Sequence, residues 1–252
     1  MGIEALDLVV IVAAIAVGAF IKGATGGGLP QLAIPVMAVF LGVEHAVVVM
    51  AIPGVVANGL LVWSHRAEAP RTRHLPAMLA AGVVGSVAGT MLLHSLDGRV
   101  LSGVLALVIV TYIVLSVAKP GFTLPERVTR IGAGPVGLAA GGLQGATGIS
   151  GPLLTTWLHG FGMPPRAYVF ALSSLFFVFS TVQAITLAGV GLYTPTRLLE
   201  SLLALLPILL ALPLGVRAAR KLSARTFQRV ILVLLAASVV SLIHDTFAGA
   251  PS

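Results

Sequence analysis

The chain has 252 residues, 58% of them hydrophobic and only 9% charged, with a mean hydropathy of +1.06, a mixture that cannot cover a soluble surface. Its formal net charge of +7 comes from Arg and Lys in short connectors between apolar runs, which argues for membrane topology and against nucleic acid as a partner. With no Cys, disulfides, thiolate metal sites and cysteine-based sulfur relay are excluded.

Several apolar runs are about 20 residues long, enough to cross roughly 30 Å of hydrocarbon as a helix. They are continuous in Leu, Ala, Val and Ile, without the alternation a membrane barrel needs. The fold class is therefore all-α, a polytopic helical membrane protein. The start Met1-Gly2-Ile3-Glu4 lacks the basic stretch of a cleaved signal, so the first span is expected to remain in the mature chain.

In chain order, segment 1 runs from about Leu6 to Ile21 and ends in the break Lys22-Gly23-Ala24-Thr25-Gly26-Gly27-Gly28. Segment 2, about Leu29 to Leu41, carries Pro30 and Pro35 and is too short to span comfortably, as a half-helix would be. Segment 3 covers about His45 to Trp63, and a polar connector from Ser64 to His74 follows. Segment 4, about Leu75 to Leu93, holds Gly82, Gly85 and Gly89 at a spacing that permits close helix contact. Segment 5 runs from about Val100 to Ala118.

The second half repeats this order. Segment 6 (about Ile131 to Leu143) leads to Gln144-Gly145-Ala146-Thr147-Gly148-Ile149-Ser150-Gly151-Pro152, which matches Lys22 to Pro30 at five of nine positions, 122 residues later. Segment 7 is short (about Leu153 to Phe161), segment 8 covers about Ala167 to Val190, segment 9 about Arg197 to Val216 and segment 10 about Phe227 to Ile243. Gly89 to Leu101 also aligns with Gly215 to Phe227. The domains read as residues 1–118, a first transmembrane repeat, 119–130, a cytoplasmic linker, and 131–252, a second repeat.

With the N-terminus outside, the cytoplasmic connectors hold Arg66, Arg71, Arg73, Lys119, Arg127, Arg130, Arg166, Arg217, Arg220, Lys221, Arg225 and Arg229, and the outer ones only Arg99 and Arg197. This asymmetry places both termini outside. Whether each broken pair crosses or folds back as a re-entrant hairpin, the number of crossings per half is odd, so the repeats are inverted. Inverted halves with paired broken helices place a binding site near the midplane.

At each break the following helix begins with backbone N–H groups that have no intrahelical partner, and its dipole adds roughly half a positive charge. Two such ends converging would hold an anion. The candidate substrate-binding residues are Lys22, Thr25, Gly26, Gly27, Gly28, Gln31, Gln144, Thr147, Gly148, Ser150 and Gly151. Hydroxyls come from Thr25, Thr147 and Ser150, amides from Gln31 and Gln144. The plainer alternative is that these glycines only let helices pack closely, and Lys22 has its own, snorkelling to the interface. Asn58, Ser173, Ser174, Ser180 and Gln183 line the route or simply bond between helices. Trp63 and Trp157 read as interface anchors and His159 as an interfacial or packed histidine.

No metal-ligand spacing, nucleotide-binding loop or buried nucleophile with a base is present, so no cofactor and no catalytic group is assigned and the chain is not read as an enzyme. The acidic residues lie near span ends, and Glu44 and Glu200 are the carboxylates that keep proton coupling open. A negative cell interior drives an anion outward by roughly 2.3 kcal/mol per charge per 100 mV, which favours export over uptake.

The paired Gly-rich motifs, the short Pro-bearing helices after them and the turn Gly162-Met163-Pro164-Pro165-Arg166-Ala167 together resemble the TauE/SafE family of sulfite exporters, also called the TSUP family. The resemblance spans both halves. It implies a multi-pass protein of the cell membrane, the bacterial inner membrane, that transports small sulfur-containing anions such as sulfite, sulfoacetate or other organosulfonates, with the Gly-rich motifs as the substrate region. Family members that take up thiosulfate share only the architecture, because the cysteines for that relay are missing. The partners expected are a small anion and the lipid bilayer, with no indication of a homo-oligomer. A passive anion channel and a non-transporting membrane scaffold are the competing readings.

Overall fold

The structure, a computed structural model, describes residues 5–25, 28–118 and 123–218, with 236 and 240. Gly26, Gly27 and the tenth expected segment, apart from residues 236 and 240, lie outside the described residues. Those described form helices and connecting turns with no strand among them: α1 (Ala5–Thr25), α2 (Leu29–Leu41), α3 (Val43–His65), a 3₁₀ turn (Arg66–Arg71), α4 (Leu75–Ser95), α5 (Gly98–Ala118), α6 (Glu126–Thr147), α7 (Gly151–His159), α8 (Pro165–Gly189), α9 (Pro195–Leu203) and α10 (Leu205–Ala218).

Five stretches among the described residues are long and apolar enough to cross a membrane: Leu6–Gly23, Val43–Arg71, Leu75–Ser95, Pro165–Gly189 and Pro195–Gly215. The last contains α9 and most of α10, separated only by Ala204. Segment 2 has the expected bounds, because Gly28 and Gly42, both at positive φ, flank it. Three boundaries differ from expectation by four residues or more, one of them the end of α6, which runs past Leu143 to Thr147. Helix α1 continues through Lys22 and Gly23 to Thr25, since one glycine costs a helix only about 1 kcal/mol. Helix α6 starts at Glu126, inside the stretch read as linker, with Pro125 just before it and an acidic residue in its first turn.

At about 1.5 Å per residue, the 13 residues of α2 and the 9 of α7 extend only about 20 and 14 Å. Each is too short to cross roughly 30 Å of hydrocarbon. Both are followed by a full-length helix, α3 or α8.

Missing side chains determine how the long helices meet. A Cβ on Gly137, Gly141 or Gly145 of α6 would collide with the carbonyl oxygen of Met78, Gly82 or Ser86 of α4, and one on Gly85 or Gly89 with that of Leu138 or Gly142. The glycines expected to permit close contact on α4 thus find glycines on α6, backbone against backbone. Numbers rise together along this contact, so the two helices are parallel. Between α3 and α8, Gly54 faces Ser180 and Gly59 faces Phe177, so those two are antiparallel. Helix pairing follows one pattern: α6 packs against α4, and α1 packs against α10, the second part of the stretch formed by α9 and α10.

Buried apolar side chains form two clusters. One draws on α1, α2, α3, α5 and α10, and the other on α4, α6, α7 and α8. Outward positions such as Leu107, Ile131, Ile185 and Leu210 are large, apolar and exposed, as a lipid-facing surface requires. Exposed Trp63 has Arg66 stacked on it at 4.4 Å, a fitting arrangement at an interface. Trp157 instead packs edge-on to Phe161, with its ring over Gly132.

Glycine substitutions separate contact from freedom. Gly141→Ala is expected to lower stability by about 1–3 kcal/mol through overpacking. Gly134→Ala, with nothing near the new methyl, is expected to be neutral or to stabilise by about 0.4–1 kcal/mol. Thermal unfolding in detergent measures both, and equal behaviour of the two variants would contradict the described contact.

Candidate functional site

The site is built where both chain breaks meet α3 and α8. Gly28 (φ 99°) caps the start of α2 and Gly148 (φ 69°) ends α6, each in the left-handed region that favours glycine. The breaks adjoin. A Cβ on Gly148 would strike the Ile34 side chain of α2, and one on Gly151 would strike the Gln31 amide. The second break therefore lies directly on the first two turns of α2.

A small cavity lies there, lined by Pro30, Ile34, Val47, Met50, Ala51, Gly54, Asn58, Gln144, Gly148, Phe176, Ser180 and Gln183. Measured to the centre of a water-sized sphere it holds about 10 Å³, room for one water molecule.

Lys22 stands behind this wall. It is 2% exposed, its Nζ donates to Asn58 Oδ1 at 2.9 Å, and it lies 5.9 Å from the centre of the Phe176 ring. Asn58 Nδ2 donates to the Gly54 carbonyl at 2.8 Å, which turns the side-chain oxygen toward the ammonium. Among the described residues the ion pairs are His45–Glu200, Arg71–Glu68 and Arg197–Glu44. None includes Lys22. Burying an ion costs several kcal/mol even after relaxation. A hydrogen bond to a charge returns about 1.5–3 kcal/mol, and a ring at this distance about 0.5–2. An anion about 4 Å away would add roughly 4 kcal/mol at an effective dielectric constant near 20, more than either neighbour supplies. The burial also answers the snorkelling alternative, because Lys22 ends on Asn58 inside the protein.

Gln144 occupies the place of Lys22 in the second half and makes the equivalent contact. Lys22 reaches Asn58 36 residues on, and Gln144 Nε2 reaches Ser180 Oγ, also 36 residues on, at 3.4 Å. Its Nε2 lies equally far from Gln183 Oε1. Both contacts are long, so this amide remains the least committed donor on the wall. Its oxygen accepts from Ser150 Oγ at 2.9 Å. Gln183 Nε2 donates to the carbonyls of Gln144 and Gly145 at 2.7 and 3.1 Å; the first also accepts the capping N–H of Gly148 at 2.8 Å, and the second lies in the last turn, where carbonyls lack intrahelical partners. Gln31 Oε1 is buried and has no hydrogen-bond partner among the described residues.

Some expected donors are committed elsewhere. The Thr147 hydroxyl donates to Leu143 O at 2.8 Å and accepts from Ile149 N at 3.2 Å, so it stabilises the turn and does not point a proton into the cavity. Pro30 and Pro152, each within the first two residues of its helix, supply no N–H. The amides of Leu29, Gln31, Gly151 and Leu153 remain at positions without an intrahelical acceptor. Gly26, Gly27 and the Thr25 side chain lie outside the described residues.

Asn58, Ser180 and Gln183, read from sequence only as lining or interhelical groups, are walls of the cavity. The spacing of Asn58 from Lys22, repeated by Ser180 from Gln144, is the signal that could have joined them to the motifs.

A family model described as sulfite exporter TauE/SafE matches residues 10–242 of the chain. No match was found among curated proteins or among solved structures.

Replacing Asn58 with Leu strands the Lys22 ammonium and is expected to destabilise the protein by about 3–5 kcal/mol. The double variant with Lys22→Met should recover most of that loss. Additive losses in a double-mutant cycle in detergent would show that the two side chains do not depend on each other.

Proposed function

The chain belongs to the sulfite exporter TauE/SafE family, and from that premise we propose that it carries small sulfur-containing anions such as sulfite, sulfoacetate or another organosulfonate across the cell membrane. The observation that carries this reading is the buried Lys22 ammonium with no carboxylate partner among the described residues, set beside a small cavity at two adjoining helix breaks whose polar lining is Asn58, Gln144, Ser180 and Gln183. A site that presents one positive charge, amide N–H groups and hydroxyls, and no carboxylate on its wall, selects against cations and for a compact oxyanion.

In this reading Lys22 supplies charge and Gln144, Ser150, Ser180 and the amides at the starts of α2 and α7 supply directed hydrogen bonds. Asn58 holds Lys22 when no anion is bound. The two halves are inverted repeats. Support comes from the antiparallel contact of α3 with α8, the parallel contact of α4 with α6 and the matched pairs Lys22–Asn58 and Gln144–Ser180.

The size of the cavity favours a carrier over a channel. Room for one water cannot hold a four-atom oxyanion or conduct a stream of them, so each cycle has to open the site. Ile34 and Phe176 are the large lining side chains whose movement would widen it. Export is the favoured direction, since a negative interior drives each anionic charge outward.

The test is flux into proteoliposomes with sulfite, sulfate, sulfoacetate, taurine and carboxylates, with and without an imposed voltage. Saturable flux of a sulfur oxyanion, stimulated by an inside-positive potential, is expected for the wild type. Lys22→Gln should lower it at least tenfold, about 1.4 kcal/mol of lost stabilisation or more, while insertion and unfolding temperature are retained. Undiminished flux by that variant would overturn the assignment of Lys22, and unsaturable conductance would favour the channel.

A further inference from the structure

Outside this site, the described residues contain one buried carboxylate. Glu200, on α9, is 1% exposed and hydrogen-bonds through Oε2 to His45 Nε2 in the first turn of α3, 155 residues away. Beside it, Arg197 of α9 pairs with Glu44 of α3 at 3.0 Å. That second pair is more exposed, with side chains at 21% and 33%, and has the ordinary role of a surface ion pair. Glu200 does not. A carboxylate inside a membrane protein is expensive to retain and is most often functional.

The repeat sharpens this. At the spacing of 122 residues that maps Lys22 on Gln144, His45 corresponds to Ala167, so the second half has no histidine in the equivalent place. The pair is therefore one-sided, which a packing device common to both halves would not be. We infer that His45 and Glu200 form a proton-binding site whose occupancy is coupled to the anion cavity.

The charge states make the coupling definite. With one proton between them the pair is neutral overall, whether that proton is on the imidazole or the carboxyl group. When the proton leaves to water, a carboxylate and a neutral imidazole carry one negative charge. Helix α3 connects the two places: His45 is in its first turn, and Val47, Ala51, Gly54 and Asn58 farther along it line the cavity. A negative charge at the start of that helix opposes entry of an anion, and a bound proton removes it. Proton and anion then favour each other's binding by equal free energies, and they move in the same direction. A dianion accompanied by one proton still carries a negative charge, so an outward electrical drive persists.

The other charged groups near the pair are Glu44 and Arg197, bound to each other. Tyr193, in the turn before α9, donates its hydroxyl to the Val48 carbonyl of α3 at 3.2 Å. Helix α2, which packs on α3, carries no titratable group. Asp7 and Lys22 of α1, Arg99 of α5, Arg166 and Tyr168 of α8 and Arg217 of α10 form no ion pair with either member among the described residues.

This inference rests on the anion-transport reading, and its test separates the two. Proteoliposomes with an entrapped pH dye are given a sulfur oxyanion gradient. Wild-type protein is expected to move protons with the anion, and flux should rise at least tenfold when the anion side is acidified. Glu200→Gln, which keeps a hydrogen bond to His45 but cannot titrate, should retain anion exchange and lose both proton movement and acid stimulation. Anion flux without proton movement in the wild type, or unchanged acid stimulation in Glu200→Gln, would overturn the proton site and leave anion transport standing. Should no anion be carried at all, an infrared pH titration of the protein in detergent decides alone. A carboxylic acid or imidazolium band that titrates in wild type and is lost in the double variant Glu200→Gln with His45→Gln upholds the site, and the absence of any such difference between wild type and the double variant removes it.

Discussion

A single ammonium group held away from water is what the centre of this molecule has to accommodate. Lys22 lies at the end of α1, within reach of one amide oxygen and one aromatic face. In hydrocarbon such a charge would be intolerable, and even inside protein its two neighbours offset only part of the desolvation cost. The surrounding choices follow from that shortfall. Asn58 spends its own N–H on the Gly54 carbonyl, leaving its oxygen to face the ammonium. Gln183 and Thr147 hold the end of α6 in place through bonds to the carbonyls of Gln144 and Leu143.

Holding two interrupted helices against each other requires the unbroken ones to approach closely, and glycine does this twice. On α4 and α6 it brings carbonyl oxygens to within contact of the opposing main chain, while Gly54 and Gly59 admit Ser180 and Phe177 from α8. In a membrane no hydrophobic force pulls helices together, so close van der Waals packing has to supply the adhesion. That rigid frame fixes where the short helices α2 and α7 start. Their side chains, Gln31 and Ile34 above all, then meet Gly151 and Gly148 of the other break.

The sequence carried the local parts of this arrangement well and the distant parts poorly. Segment 2 was legible to the residue because glycines mark both its ends and Pro30 sits where a helix begins. The α4 glycines announced a close contact, but not that α6 would answer with Gly137, Gly141 and Gly145. Thr147 looked like an anion donor, and its hydroxyl turned out to be bonded to Leu143, one turn back; hydroxyls on helices commonly do this, and no pattern in the sequence separates the two uses. Lys22 to Asn58 and His45 to Glu200 are tertiary pairings across 36 and 155 residues. Only the first leaves a trace in the sequence, and only because duplication repeats its spacing at Gln144 and Ser180.

That repetition with a difference shapes the electrostatics of the cavity. Were both equivalent positions lysine, two buried ammonium groups would face one small space, and their mutual repulsion would add to two desolvation costs; were both glutamine, the site would have directed donors and no net charge to hold an anion against the pull of water. One lysine and one glutamine give a charge of +1 behind the Asn58 and Phe176 wall and a neutral donor, Gln144, on the wall itself. On the proposed function, an anion entering there would meet attraction from the Lys22 side and orientation from the Gln144 side, so the two repeats would not contribute equally to its binding. On that proposed function, a duplicated scaffold with an asymmetric charge would hold its ligand mainly through one repeat while the other moves relative to it, which is the minimum a carrier needs to present a single site to both sides of a membrane in turn.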